Sequence, residues 1–303
     1  MTALSQTILE NYQVRKTKKQ KLAFISLLKE HFPQLQVQEG GFPKSRNLVF
    51  GDIESAKVII SAHYDTCARL PFPNFITPRS PLLSFLYSFV PFIPVFTVVF
   101  LLNMVLNLLT ENLWIHYTVS LIACFGLLSL MFFGPANKHN ANDNTSGVIA
   151  LCELMGTLSE AERGKAAFVF FDNEEIGLLG SSLFRSKHKK QLDGKLLLNF
   201  DCIADGDYIL VAATKKAREE LGQSIDSSFQ PKNGKTVLIS KVEKIYYPSD
   251  QAGFKKSIVV AALHRKNGIG YYLGKIHTHR DTAFDHANIS LICNCTLRLL
   301  KKL

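Results

Sequence analysis

Charge is missing from two long stretches of this chain. Between Ser80 and Thr110 there is no Asp, Glu, Lys or Arg, and there is none between Asn112 and Asn137, so Glu111 stands alone between the two. Each stretch holds an apolar core, Leu82 to Leu109 and Leu113 to Phe133, at least as long as the ~20 residues a helix needs to cross a bilayer's hydrocarbon layer. A soluble domain of this size rarely buries two apolar helices of such length. The runs therefore predict a membrane hairpin over residues 80–133, in contact with lipid. Pro91 and Pro94 predict a kink near the start of the first run, or an interfacial lead-in over Pro81 to Ile93. Trp114 and Tyr117 stand where an interfacial anchor belongs, at the opening of the second.

Other absences narrow the class. The six cysteines lack regular spacing, and Cys124 lies inside the second apolar run, so no disulfide framework is expected. Met1 to Glu10 contains no unbroken apolar stretch of the secretory type. Arg69 and Arg79 precede the hairpin, Lys138 follows it, and the turn carries only Glu111. The positive-inside rule then places both flanks and the bulk of the chain in the cytoplasm. The formal charge is +10, but the basic residues are scattered (Arg15 to Lys21, Lys187 to Lys190, Lys255-Lys256, Lys301-Lys302) and no base-reading or stacking module accompanies them. Nucleic acid is not an expected partner; a surface facing anionic lipid headgroups accounts for the same charge. There is no Gly-x-Ser-x-Gly elbow and no Cys-His pair to support a covalent nucleophile. Nothing in the sequence sets the oligomeric state.

What is present outside the hairpin is an alternation of helices and strands. A helical segment over about Gln6 to Phe32 leads to strands at Gln34 to Gln38, Asn47 to Gly51 and Lys57 to Ser61. After the hairpin a helix opens near Thr145, with an apolar stripe through Val148, Leu151, Cys152, Met155 and Leu158. Strands follow at Ala166 to Phe171, Leu196 to Phe200, Tyr208 to Ala212, Thr236 to Lys241 and Ser257 to Leu263. Helices are expected over Leu178 to Lys189, Lys216 to Ser224 and about Thr282 to Lys301. Such alternation implies a largely parallel or mixed sheet covered on both faces, with functional groups at the carboxyl ends of its strands. Three apolar strands do end in potential ligands: Ser61 runs into Ala62-His63-Tyr64-Asp65, Phe171 into Asp172-Asn173-Glu174-Glu175, and Phe200 into Asp201. Any one of these alone would be an ordinary loop residue. Adjacent acids at a common strand end repel one another unless cations or protons compensate them, and together they point to a metal site.

The motifs in combination are Ser-Ala-His-Tyr-Asp at 61–65, Asn-Asp-Asn-Thr-Ser-Gly at 142–147, Asp-Asn-Glu-Glu-Ile-Gly-Leu-Leu-Gly-Ser at 172–181, Asn-Phe-Asp at 199–201, Tyr-Pro-Ser-Asp at 247–250 and Ile-His-Thr-His-Arg-Asp-Thr at 276–282. On these the chain resembles the M28 family of co-catalytic zinc aminopeptidases and carboxypeptidases, over roughly Leu48 to Cys67 and Asn137 to Leu299. The resemblance implies a three-layer α/β/α fold with a mixed, mostly parallel central sheet of the zinc exopeptidase type. It implies a catalytic domain formed by residues 1–79 and 134–303, with a helical segment at 1–33 and the hairpin at 80–133 inserted. It also implies two zinc ions, one held by His63, Asp143 and Asp201 and the other by Asp143, Glu175 and His277, with the Asp143–Asn144 bond expected to be cis. Asp65 would hydrogen-bond the remote nitrogen of His63. Glu174 would be the general base for the attacking water and would return the proton to the leaving amine. His277 is preferred to His279 and His286 as the last ligand because His-Thr, two residues and Asp-Thr align on His277, Thr278, Asp281 and Thr282. His279 is then a rim residue and His286 a structural one inside the final helix.

The resemblance implies a peptide substrate and favours an aminopeptidase. Asp250, Glu243 or a site carboxylate could receive a substrate ammonium, and Arg280 or Arg265 a terminal carboxylate. The alternatives are a carboxypeptidase or endopeptidase, an acyltransferase like the glutaminyl cyclases that share the family's framework, and an inactive membrane scaffold. The hairpin separates His63 from Asp143, which must meet at the metals. Its two ends are therefore expected beside the mouth of the site.

Overall fold

The computed structural model describes residues 1–232 and 234–303. The N-terminal segment forms two helices, α1 (Ala3–Asn11) and α2 (Lys18–His31), where a single helical segment is expected. The break has a local cause. Thr17 begins α2 with a capping box: its hydroxyl accepts from the Gln20 amide, and the Gln20 side chain accepts from the Thr17 amide. Strands β1 (Gln36–Gly40), β2 (Ser45–Phe50) and β3 (Val58–His63) follow. The apolar insertion forms α3 (Pro81–Tyr87), α4 (Phe92–Asn107) and α5 (Leu113–Phe133). After a wide helical turn at Ala141–Ser146, the chain continues through α6 (Gly147–Thr157), α7 (Glu160–Arg163), β4 (Ala166–Phe171), α8 (Leu179–Lys187) and β5 (Leu196–Phe200). It closes with β6 (Tyr208–Ala213), α9 (Lys215–Ser228), β7 (Thr236–Lys241), β8 (Ser257–Lys266), β9 (Gly270–Tyr272) and α10 (His286–Lys301).

The strands form one sheet in the order β1-β2-β4-β3-β5-β8-β6-β7, with β9 paired to β8. Its centre, β4-β3-β5-β8, is parallel. The β1-β2, β2-β4, β6-β8 and β8-β9 pairs are antiparallel, and β6 and β7 run parallel. Every residue of β3, β4 and β5 is buried. That is why these strands read as continuous apolar runs: helices cover both faces, with α1, α6, α9 and α10 on one side and α8 on the other.

α10 starts at His286, four residues later than expected, because the Asp285 carboxylate caps it by accepting from the Ala287 amide. His286 is the exposed first residue of that helix, against Phe284.

Two helical stretches, Pro81–Asn107 and Leu113–Phe133, are long and apolar enough to cross a membrane. Between α3 and α4 the path stays helical through tight bonds such as Val90 N to Tyr87 O and Ile93 N to Val90 O, because Pro91 has no amide to offer. The 21 residues of α5 span about 30 Å, matching a hydrocarbon layer. The large side chains of the hairpin face outward: Leu108 is 85% exposed, Trp114 80% and Phe125 68%. The polar groups turn inward to each other. His116 bonds Asn103 Oδ1 (2.9 Å) and the Thr110 carbonyl, and Asn103 Nδ2 donates to Ser120 Oγ (2.7 Å).

Both ends of the hairpin sit beside the carboxyl end of β3. Asn137 N donates to Cys67 O, Arg69 N to Pro135 O, and Ala68 bridges Ala136. Thr77 N and Ser84 Oγ bond at 2.8 Å, pinning α3 to the sheet-bearing body. Lys189, Lys190, Lys255 and Lys256 surround the opposite, amino ends of β5 and β8. They lie away from the hairpin rather than beside it, and the cations at its base are Lys16, Arg69, Arg79 and Lys138.

Candidate metal centre

The sheet delivers the predicted residues to one place. His63 ends β3, Glu174 and Glu175 follow β4, and Asp201 follows β5. Asp143 comes from the turn after the hairpin and His277 from the loop before α10. The two imidazoles meet the two oxygens of one carboxylate: His63 Nε2 lies 3.3 Å from Asp143 Oδ1, and His277 Nε2 lies 3.2 Å from Asp143 Oδ2. Each imidazole has a second acid beside it, Asp201 Oδ1 at 3.6 Å from His63 Nε2 and Glu175 Oε2 at 3.1 Å from His277 Nε2.

Backbone geometry explains why these loops turn where they do. Asn173, Cys202 and His277 are non-glycine residues in the left-handed region, at φ 56°, 56° and 64°. Such residues cluster where surrounding structure over-determines the backbone. The Asp143–Asn144 bond is cis. At Gly180 an added Cβ would sit 2.1 Å from the Asp172 carbonyl, and at Gly147 2.5 Å from Asn144 Oδ1, so only glycine lets α8 and α6 pack against these loops.

Asp65 holds the acidic pair. Its carboxylate accepts from the Glu174 amide (3.0 Å) and the Glu175 amide (3.2 Å). His63 Nδ1 lies 3.2 Å from the Asp65 main-chain oxygen and 3.8 Å from its carboxylate, so the nearer partner is the backbone. Asp281 does for Asp143 what Asp65 does for the acidic pair, accepting from the amides of Asn142 and Asp143, each at 3.0 Å. Asn144 Nδ2 donates to the Phe200 carbonyl and Asn142 Oδ1 accepts from the Ala204 amide, locking this turn to the end of β5.

The site holds more negative charge than its own cations balance. His63, Asp65 and Asp143 are at most 3% exposed. Burial works against ionising Asp143, yet the adjacent His277 and His63 hold its carboxyl below the usual range. Glu174 moves the other way: burial raises it well above the usual range against the pull of His63, and repulsion from Glu175, Asp250 and Asp201 adds to the rise. Asp250, fully buried with neither oxygen hydrogen-bonded, is pushed up to about 7 by burial. Glu175 Oε1 is likewise buried and unpartnered. Beneath the site Arg15 is fully buried, donating to the Tyr64 carbonyl and to Thr145 Oγ1; burial lowers its pKa to about 10 against the pull of Asp65 and Asp143. Lys21 pairs with Asp172 at 2.5 Å.

A metal fits this arrangement. With bonds of ~2.0–2.1 Å to nitrogen and oxygen, neighbouring ligand atoms around tetrahedral zinc are about 3.3 Å apart. The 3.1–3.6 Å separations found here bracket that edge. The residue groups His63, Asp143 and Glu175, and His63, Glu174 and Asp201, each bring donor atoms within 4.8 Å of one another, as do two groups containing thiols: Cys67 with Glu175 and His277, and Cys202 with Asp143 and Asp201. Neither cysteine, nor Arg15, nor the role of Asp281, was legible in the motifs. For Asp281 a signal existed in its fixed place four residues after His277. For the cysteines there was none beyond adjacency to Asp65 and Asp201. His279 and Arg280 are exposed. Glu243 is engaged elsewhere, with the Lys215 amide, and Arg265 lies over the Tyr271 ring.

The model of peptidase family M28 matches residues 129–300. Among solved structures, the LapA aminopeptidase of Legionella pneumophila superposes with a TM-score of 0.58 at 14% identity, covering 99% of this chain and 69% of that one. LapB of the same organism gives 0.57 at 13% identity, covering 99% and 70%. A glutaminyl cyclase of Porphyromonas gingivalis gives 0.59 at 14% identity, covering 99% and 96%. At these identities the likeness is one of fold. No curated protein matches the chain in sequence.

Proposed function

Because the chain belongs to peptidase family M28, we propose that it is a two-zinc aminopeptidase anchored in a membrane by residues 80–133. The observation that carries the reading is Asp143, whose two oxygens face two different imidazoles, each with a further acid beside it. His63, Asp143 and Asp201 would hold one ion, and Asp143, Glu175 and His277 the other. When bound, the ions lower the pKa of water and polarise the scissile carbonyl. Glu174, next in sequence to a ligand but partly accessible, accepts the proton of the attacking water on its carboxylate and delivers it to the leaving amine. Asp65 keeps that carboxylate in place through the Glu174 amide.

An amino-terminal preference is supported by the charge of the space next to Glu175 and His277. Among the described residues, Glu175 is the one acidic residue lining it, and no Lys or Arg does. A substrate ammonium finds the Glu175 carboxylate there, whereas a terminal carboxylate finds no Lys or Arg. Residues 1–79 and 134–303 form the catalytic unit in this reading, on the cytoplasmic side to which Arg69, Arg79 and Lys138 assign the base of the hairpin.

The test is zinc content together with hydrolysis of free-amine and N-blocked peptides, on wild type and on Glu174→Gln. Two zincs per chain, cleavage confined to free amino termini and a loaded but inactive variant are expected. Cleavage of blocked peptides would move the assignment to an endo- or carboxypeptidase. Release of ammonia from an N-terminal glutamine without peptide cleavage would make it a cyclase.

A further inference from the structure

A cavity of about 270 Å³ opens against Glu175 and His277. Its walls come from three distant parts of the chain. Phe75 and Ile76 belong to the strap that leaves the site toward the hairpin, Tyr87 and Pro91 to the hairpin's first end, and Met131 and Phe132 to its second. The aromatic wall is already fixed in position: the Tyr87 hydroxyl donates to the Pro73 carbonyl at 3.0 Å, its ring lies 4.9 Å from that of Phe75, and Phe75 in turn packs on Tyr272 at 5.6 Å. Opposite, α5 ends at the cavity, and Lys16 Nζ donates to the Phe132 carbonyl, tying this last turn to the N-terminal segment. The size is at the low end for a ligand pocket, enough for one large side chain rather than a run of peptide.

We propose that this cavity receives the side chain of the substrate's first residue, an apolar one, and that the base of the membrane hairpin is thereby a specificity element of the enzyme. The inference rests on the aminopeptidase reading above and adds the substrate class. Three observations carry it. The cavity touches two of the proposed ligands, so a residue whose carbonyl reaches the metals has this space within one side chain's length. Its lining is mainly aromatic and aliphatic, with Asn74, Ser84 and Ser88 as uncharged polar members and, among the described residues, no carboxylate, Lys or Arg apart from Glu175 beside the site itself. Its outer wall consists of residues that continue directly into α4 and α5, so the opening lies at the level where the apolar helices leave the body. Peptides with an apolar amino terminus at a bilayer surface are the class that such a pocket accepts. Soluble peptides beginning with Lys, Glu or Asp would have to bury that charge among these rings.

The test uses the full chain in phospholipid nanodiscs with p-nitroanilides of Leu, Met, Phe, Ala, Lys and Glu. Wild type is expected to favour the first three over the rest. Met131→Trp, which fills the cavity, is expected to lower the Leu-to-Ala ratio of kcat/KM at least tenfold, the scale on which apolar pockets sense lost space, mainly through KM and with zinc content unchanged. A ratio that stays within twofold of wild type would overturn the proposal. Met131→Cys supplies a readout that needs no turnover: labelling of that thiol by a small methanethiosulfonate, followed by peptide mass, should slow several-fold with L-leucinamide and not with L-lysinamide. Equal labelling rates would also overturn it. If free-amine substrates are cleaved but neither variant responds, the pocket fails and the aminopeptidase reading stands. If leucinamide protects the thiol while no substrate is cleaved, the pocket stands and that reading fails.

Discussion

The site and the hairpin invert the usual distribution of polarity in opposite directions. At the strand ends the chain buries His63, Asp65, Asp143 and Asp201 within a few ångströms of each other. In the hairpin it exposes Leu108, Trp114, Phe125 and Phe133, each at 68% or more. Charge out of water and hydrocarbon in water are both unfavourable by themselves. On the reading proposed above, cations would compensate the first and lipid would cover the second. The two also differ in how they treat their own misfits. Acids at the site are left with unpartnered oxygens on Glu175 and Asp250, whereas the few polar groups of the hairpin, Asn103, His116 and Ser120, satisfy one another.

The sharpest way to separate the regions is Glu174→Gln. It should lower kcat by roughly 10³-fold while zinc content and membrane association stay as in wild type, measured by kinetics, metal analysis and sedimentation. Retained turnover would remove Glu174 from its role. Next in size is Lys21→Met, which strands the buried Asp172 without its cation. We expect a loss of about 3–5 kcal/mol in chemical denaturation, partly recovered by adding Asp172→Asn. For the hairpin, Phe100→Asp should cost about 3 kcal/mol of insertion and release the chain from membranes on alkaline extraction. Phe42→Asp, at a still more exposed residue outside the hairpin, should not; equal behaviour would mean that the hairpin does not face lipid.

The smallest effect concerns an ion-pair network near the site. Burial raises the Asp205 carboxyl, but hydrogen bonds from His264 and Lys275, each at 2.9 Å, more than offset it, and its pKa lies below the ordinary value. A depressed pKa stabilises the fold above the unfolded-state value and ceases to do so as pH falls through the folded one. Asp205→Asn should therefore cost about 1–2 kcal/mol near neutrality. That difference should shrink steadily below about pH 4, where the carboxyl of the unfolded chain titrates, as read by thermal melts across the acid range.

Much of the fold is legible in single residues. The strand Leu196 to Phe200 falls where its apolar run places it, because a parallel strand buried on both faces must be apolar throughout; the half-buried strand Thr236 to Lys241, at the sheet's edge, also lies where it is expected. Helix limits are less legible. A lone cap decides them: Thr17 splits the N-terminal segment, and Asp285 delays α10, and neither differs in sequence from an ordinary polar residue. At the site, Glu174-Glu175 marks itself by like charge at adjacent positions, and His63-Tyr64-Asp65 by a histidine and an acid at the end of an apolar strand. Asp281 and Arg15 do not, since their work is done on amides and carbonyls more than 130 and about 50 positions away.

From the sequence alone came the alternation that makes a covered sheet, the length and apolarity of the two hairpin helices, and the residue types able to hold a metal. These depend on local composition and period, which the chain carries in itself. Only the tertiary structure decided that Asp143 stands between two imidazoles, that Asp65 grips the amides of the acidic pair, and that Tyr87 and Met131 close a cavity on Glu175 and His277. Each of those facts joins segments tens to hundreds of residues apart, and their distance depends on how every intervening element packs.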